Sequence, residues 1–166
     1  MGSEVNYNEL SQLIGVNKIT IQKYIDILEK GYIVLRLNSF SRNIRNEIKQ
    51  NRKVYLYDNG IRNMIIGDFK PLNLRLDKGA LWENFLVSER LKQNIYKDTF
   101  ARMYFWRTQQ HQEIDFVEEK DGEITAFEFK WKNKKIKFPQ KFLVAYNANG
   151  YVIDRDNFRG FVKITN

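Results

Sequence analysis

The chain has no cysteine among its 166 residues. Disulfides and thiolate metal sites are therefore excluded. It has a single histidine, His111. One imidazole cannot build a histidine-rich zinc site, and it argues against histidine-based nucleophilic catalysis. No apolar run reaches the roughly 18 residues a membrane helix needs, and no signal-peptide pattern opens the chain. Repeats and low-complexity tracts are absent too. These absences lead us to expect a cytoplasmic protein. The phosphate-cradling pattern Gly-x-x-x-x-Gly-Lys-Ser/Thr is also missing, so ATP binding by that route is not expected in this chain.

What is present suits one or two small domains. Hydrophobic residues make up 43% of the chain and aromatic ones 14%, enough for a real core. The formal charge is +8. Such a balance favours polyanions, nucleic acid above all; a merely lysine-rich protein has it as well. The distribution of the charge therefore matters more than its sum.

The first half reads as helix, helix, strand, basic loop, strand. Residues 7–14 (YNELSQLI) form a short helix, and Gly15-Val16-Asn17 a turn. Residues 18–30 (KITIQKYIDILEK) carry Ile21, Tyr24, Ile25 and Leu28 at helical spacing and end at Gly31. Two β-like runs follow, 32–40 and 53–60, with SRNIRNEIKQNR between them. This is a winged-helix layout. Lys18, Thr20, Gln22 and Lys23 are candidates for the exposed face of a recognition helix. Arg42, Arg45 and Arg52 would reach phosphates or a minor groove from the wing. The same module equally serves as a protein-docking domain. A full winged helix has one more helix at its start. Almost no chain precedes Tyr7, so either that helix is missing or the chain is the tail of a longer protein. Residues 1–67 are assigned to this domain, and 68–78 (DFKPLNLRLDK), broken by Pro71, to a linker.

Residues 79–166 make the second domain. Residues 79–94 (GALWENFLVSERLKQN) form a helix with Leu81, Trp82, Phe85, Leu86 and Leu91 on its apolar face. Glu83 lies beside that face, and a partly buried carboxylate needs a partner. It is either the third acid of a metal site or a solvated glutamate, with Glu89 as competitor. Residues 102–107 (RMYFWR) read as a strand whose aromatics belong to the core. Residues 139–148 read as a short helix, and 151–157 and 160–164 (GFVKI) as closing strands.

The most informative stretch is 111–131, HQEIDFVEEKDGEITAFEFKW. Two runs of alternating polarity flank Asp121-Gly122, which marks a hairpin turn. Lys120 then faces Glu123, Asp115 faces Glu128, and Glu113 faces Lys130. Alternation puts Glu113, Asp115, Val117, Ala126, Glu128 and Lys130 on one face. Ile114, Phe116, Phe127 and Phe129 take the other. Opposed like charges destabilise a sheet, so the Asp115–Glu128 pair needs a cation. Mg²⁺ is usually held by one or two carboxylates with water and phosphate; Mn²⁺ would substitute. The other reading is a surface hairpin with a Glu113–Lys130 ion pair. Lys130, Lys132, Lys134, Lys135 and Lys137 follow as a basic run, either a phosphate track or a solvated loop.

Gly79-x-x-x-Glu83, Glu113-x-Asp115-Phe116 and Glu128-x-Lys130 together resemble the helix acid, strand acid and Glu-x-Lys series of PD-(D/E)xK nucleases, archaeal Holliday-junction resolvases among them. KITIQKYIDILEKGYIV followed by GALWENFLVSE, YFWRT, EIDFVEE and FEFKW is similar to the C-terminal half of a family of prokaryotic AAA-type ATPases. In that family a P-loop module precedes a winged helix and a restriction-endonuclease-like domain of unknown function. The resemblance covers about Asn8 to Trp131. It implies an α+β (α/β) fold: a winged helix-turn-helix followed by a mixed sheet flanked by helices. It also implies a DNA-associated domain with Glu83, Asp115, Glu128 and Lys130 as catalytic residues. Asp115 and Glu128 would hold Mg²⁺, and Lys130 would serve the nucleophile. Lys132, Lys134 and Lys135 would join the winged helix in binding DNA. The alternative is a non-catalytic DNA-binding or protein-docking module that regulates or assembles with an ATPase.

Overall fold

A computed structural model of the chain describes residue 2 and residues 4–42, 52–110 and 112–163. The first helices form where the local signals place them. In α1 (Tyr7–Ile14), the Asn6 side chain accepts hydrogen bonds from the N–H groups of Asn8 and Glu9. Gly15 ends the helix at φ 77°, a conformation glycine adopts without strain. In α2 (Lys18–Lys30), Asn17 caps the N–H of Thr20. The chain then runs through β2 (Val34–Ser39), β3 (Arg52–Leu56), α3 (Asn59–Ile66), a 3₁₀ turn (Leu72–Leu74) and α4 (Lys78–Tyr96). It closes with β4 (Arg102–Arg107), β5 (Glu113–Lys120), β6 (Glu123–Phe129), α5 (Gln140–Tyr146), β7 (Asn149–Ile153) and α6 (Phe158–Val162). A short β1 (Glu4–Val5) precedes α1. No helix among the described residues is long and apolar enough to cross a membrane.

The strands form one mixed seven-stranded sheet, ordered β1-β3-β2-β4-β5-β6-β7. β2–β4 and β6–β7 are parallel, and the other neighbours antiparallel. Strand β2 from the first half lies beside β4 from the second. The sheet therefore runs unbroken across residues 68–78. The β2–β3 hairpin expected as a wing is part of this sheet, and its connecting segment 43–51, with Arg45, lies outside the described residues.

Each face of the sheet is covered by a core. On one, Leu35, Leu37, Tyr55, Phe105, Phe116, Phe127 and Phe129 pack against Trp82, Leu86 and Val87 of α4 and Phe161 of α6. On the other, Trp106, Ile114, Val117, Ile124 and Ala126 pack with Phe40 and with Phe142 of α5.

Two expectations change here. Residues 160–164 were expected as a strand, but 158–162 form α6. Phe158 and Phe161, three apart, both turn onto the aromatic cluster beside α4. Ile114 does not share a core with Phe116. Between the pairs Tyr104–Val117 and Trp106–Ile114, β4 advances two residues and β5 three. The extra residue is a β-bulge, which turns the strand and re-aims its side chains. Ile114 thereby joins Val117 under α5, and Asp115 sits at the bend.

Candidate functional site

The hairpin turn is formed by Asp121 (φ 52°) and Gly122 (φ 84°). Two successive positive φ values match the twist of an antiparallel pair. Lys120 pairs with Glu123 and Phe116 with Phe127, so Asp115 and Glu128 fall one step beyond the hydrogen-bonded ladder. The Asp115 carboxylate accepts the Phe129 N–H at 2.8 Å. Lys130 Nζ bonds it at 3.3 Å and reaches Glu128 at 2.8 Å. One ammonium thus bridges both carboxylates.

Glu83 faces this region from α4. Its Oε1 accepts the Tyr55 hydroxyl at 2.7 Å and Lys53 Nζ at 3.5 Å. Lys53 is almost fully buried and lies 2.5 Å from Glu113. Glu89 turns to Lys92 at 2.6 Å instead, which decides the competition between the two helix acids. The expected Glu113–Lys130 pair is replaced by Glu113–Lys53 and by Lys130 on Asp115 and Glu128. The bend at Asp115 accounts for the exchange.

Four carboxylates and two ammoniums in a mostly buried cluster perturb one another. Burial, then the charge of Asp115, pushes the Glu128 carboxyl up to about 7 against the pull of Lys130. Burial also raises Glu83, while Lys53 opposes that shift. Tyr55 is raised well above its ordinary value by burial and by the Glu83 charge. Burial would lower Lys53 and Lys130, but the surrounding carboxylates outweigh it and hold both above their ordinary value.

A groove of about 560 Å³ opens beside the cluster, with Glu113 and Glu128 on one wall and Lys137, Phe138 and Lys141 among its other lining residues. A second concavity, about 290 Å³, is lined by Trp82, Phe85, Trp131 and Phe158. The oxygen donors of Asp115 and Glu128 are the kind Mg²⁺ takes, and two carboxylates suffice when water and phosphate complete the shell. Among the described residues, no three His, Cys, Asp or Glu side chains converge on one metal position. Lys130 stands between the two carboxylates of this pair, as Lys53 engages Glu83 and Glu113.

The basic candidates are scattered. Lys18 and Lys23 are exposed on α2, Gln22 is half-buried, and Arg42 is exposed. The Thr20 hydroxyl bonds its own helix cap, Asn17, at 3.0 Å, so it is spent on the helix start. Arg52 lies over the Tyr7 ring at 5.8 Å. Lys132, Lys134 and Lys135 are exposed after β6. β4 and β5 separate β2, which follows α2, from β6. His111 and Arg45 lie outside the described residues. The sequence reading missed Lys53, Tyr55 and Lys141. The signal for the first two was alternation: Lys53 is in phase with Tyr55 in KVYLY, on a face that proves buried.

Residues 78–162 match the family described as Domain of unknown function (DUF4143), and residues 1–72 match Domain of unknown function (DUF8612). An uncharacterized protein of Mycobacterium tuberculosis is 31% identical over 124 residues, covering 74% of this chain and 27% of its own length. An uncharacterized protein of Mycobacterium bovis matches with the same figures. One of Haemophilus influenzae is 27% identical over 124 residues, 74% of this chain and 28% of its own. The chain thus spans about a quarter of the length of these curated relatives. No solved structure matches it. With more than half of its residues inside the first match, the chain belongs to the DUF4143 family, a domain often found at the C-terminus of AAA ATPases.

Proposed function

We propose that this chain is the DNA-associated C-terminal part of an AAA-type ATPase family protein and hydrolyses phosphodiesters with Mg²⁺. The observation that carries the reading is the convergence of Asp115, Glu128 and Lys130, with the lysine 3.3 and 2.8 Å from the two acids. Asp115 and Glu128 would hold Mg²⁺, which when bound acidifies water and neutralises charge on a phosphate. Lys130 positions the attacking water beside them. Glu83, steadied by Tyr55, supports the site from α4. Lys137 and Lys141 attract the phosphate backbone to the groove. In this reading α1, α2 and the β2–β3 hairpin act as a winged helix. Lys18, Lys23 and Arg42 then contact DNA on that side, and Lys132, Lys134 and Lys135 on the other.

The test is calorimetry with Mg²⁺ and Mn²⁺ on the wild type and on Asp115→Ala, without and with DNA, followed by incubation with linear, nicked and branched DNA. We expect metal binding and cleavage in the wild type, and loss of both in a variant that keeps its fold. Equal cleavage by Asp115→Ala would sink the reading.

A specific observation favours a second reading, a docking module for an ATPase portion. Leu13 is 81% exposed, Ile19 64% and Ile27 62%, all on α1 and α2. Apolar surface of this kind marks interaction sites. Here Ile27→Glu should abolish co-purification with the remaining region of a longer relative, while leaving metal binding unchanged.

A further inference from the structure

The concavity of about 290 Å³ is walled by Trp82, Phe85, Trp131 and Phe158, with Lys78 among its other lining residues. Phe85, Trp131 and Phe158 are half-buried, so the core does not fully cover their rings. The Trp82 ring meets Phe85 stacked at 5.7 Å, and Trp131 and Phe158 edge-on at 5.5 and 5.2 Å. Trp82 is 7% exposed, and its buried indole N–H has no hydrogen-bond partner among the described residues. A buried tryptophan N–H ordinarily finds one. Cations border the rings. The Arg155 guanidinium lies 5.1 Å from the centre of the Trp131 ring, and the residue is exposed. Lys132, also exposed, directly follows Trp131. The carboxylate site is next door: Trp82 precedes Glu83 in α4, and Trp131 follows Lys130. Consecutive Cα atoms are about 3.8 Å apart, so the two places are neighbours.

An aliphatic occupant has no use for the flanking charges, and an inorganic anion none for the rings. Aromatic faces bordered by cations are the arrangement that holds single-stranded nucleic acid, with bases stacked on the rings and cations along the phosphates. Size agrees. Ligand pockets run to roughly 300–1,000 Å³, and this one, at the lower end, suits one planar ring system. A base edge carries carbonyl and ring-nitrogen acceptors that can answer the Trp82 N–H; an aliphatic peptide side chain carries none. A base inside a duplex cannot enter without leaving its stack and its partner. We propose that the concavity between α4, Trp131 and the start of α6 receives an unpaired nucleobase of single-stranded DNA, with Arg155, Lys132 and Lys78 serving the phosphates beside it. The inference rests on the DNA-associated reading under Proposed function and deepens it: the substrate class becomes DNA with unpaired bases next to the carboxylate site. It needs no metal.

The experiment is done in EDTA at low salt. Fluorescence anisotropy of end-labelled strands compares a thymidine oligomer with an abasic oligomer of equal length and charge, and tryptophan emission is followed with unlabelled strands. The wild type should bind the thymidine strand roughly 5- to 150-fold more tightly than the abasic one, the range set by one stacked base, and only the thymidine strand should quench its tryptophan emission. Trp131→Leu should bind both strands equally, and Trp131→Phe should keep most of the preference. Arg155→Gln should weaken both strands alike and leave the preference intact. A wild type that binds both strands equally overturns the inference, whatever the variants do. So does a folded Trp131→Leu that keeps the full preference. Quenching by an acidic phenylalanine peptide, with no difference between the two strands, makes the concavity a protein-docking site and overturns it too. A wild type that binds neither strand overturns the DNA-associated reading along with it. Failure to bind Mg²⁺ or to cleave DNA would instead count against hydrolysis alone, because these titrations contain no divalent ion.

Discussion

Glu128 shows what burying a carboxylate beside another costs the fold. Its carboxyl is held at about 7, above an ordinary 4.5, by burial and by Asp115. The unfolded chain releases that proton first as pH rises. The folded state therefore binds more protons between the two values, and stability falls across that window. Below the ordinary value both states are protonated and the penalty vanishes. Glu128→Gln removes a charge that burial disfavours while keeping an oxygen for Lys130. In metal-free buffer it should raise unfolding stability by about 1–3 kcal/mol at pH 8 and leave it unchanged at pH 4. Urea denaturation at the two pH values reads the difference. An unaltered or lower stability at pH 8 would mean that Lys130 fully compensates the ionised carboxylate. The same variant should lose metal binding, so a gain in stability would accompany the loss of a ligand.

At the scale of elements, α4 is the part that brings the site together, and Asn84 fixes it. This side chain is fully buried; it accepts the Leu56 N–H at 2.8 Å and donates to the Leu56 carbonyl at 3.0 Å and to Asn59 at 3.0 Å. It ties α4 to the end of β3, the strand that carries Lys53 and Tyr55. Asn84→Leu leaves those backbone groups without partners and should cost about 2–4 kcal/mol in urea denaturation. Arg90 ties the same helix to β5, with two bonds to Glu118 at 2.7 and 2.6 Å. Removing one partner of so buried a pair, as in Arg90→Ala, should cost about 3–5 kcal/mol. These long-range ties explain what the sequence could and could not disclose. The bounds of α1 and α2 were legible because Asn6, Gly15 and Asn17 act within a few residues of themselves. The register of the hairpin was legible because Asp121-Gly122 determines it locally, and that register brings Asp115, Glu128 and Lys130 together. The bulge at Asp115 was not, because it arises from pairing with β4. The helix at 158–162 was not either, because Phe158 and Phe161 are turned by an aromatic cluster distant in sequence. Lys53 needed the knowledge that β3 packs under α4.

For the whole molecule, the net charge of +8 matters only through where it sits. One set of exposed lysines, Lys132, Lys134 and Lys135, leaves the end of β6 next to the carboxylates, and another, Lys18 and Lys23, lies on α2. β4 and β5 stand between β2 and β6, so the sets are separate footprints on the two sides of one sheet's order. Each phosphate neutralised on duplex DNA contributes about 0.9 to the slope of log affinity against log salt. If DNA runs along the carboxylate groove, changing Lys132, Lys134 and Lys135 together to Gln should lower that slope by roughly 3, and changing Lys18 and Lys23 should leave it alone. If the winged-helix side also engages, the Lys18/Lys23 pair should lower it by about 2 in addition. Fluorescence anisotropy from 50 to 200 mM salt separates these outcomes. A slope changed by neither set would remove DNA from both faces, and the exposed apolar residues of α1 and α2 would then carry the stronger claim to be the working surface. A slope changed only by the triple variant would put the nucleic acid where Lys137 and Lys141 line the groove beside Glu128, as the proposed hydrolysis requires.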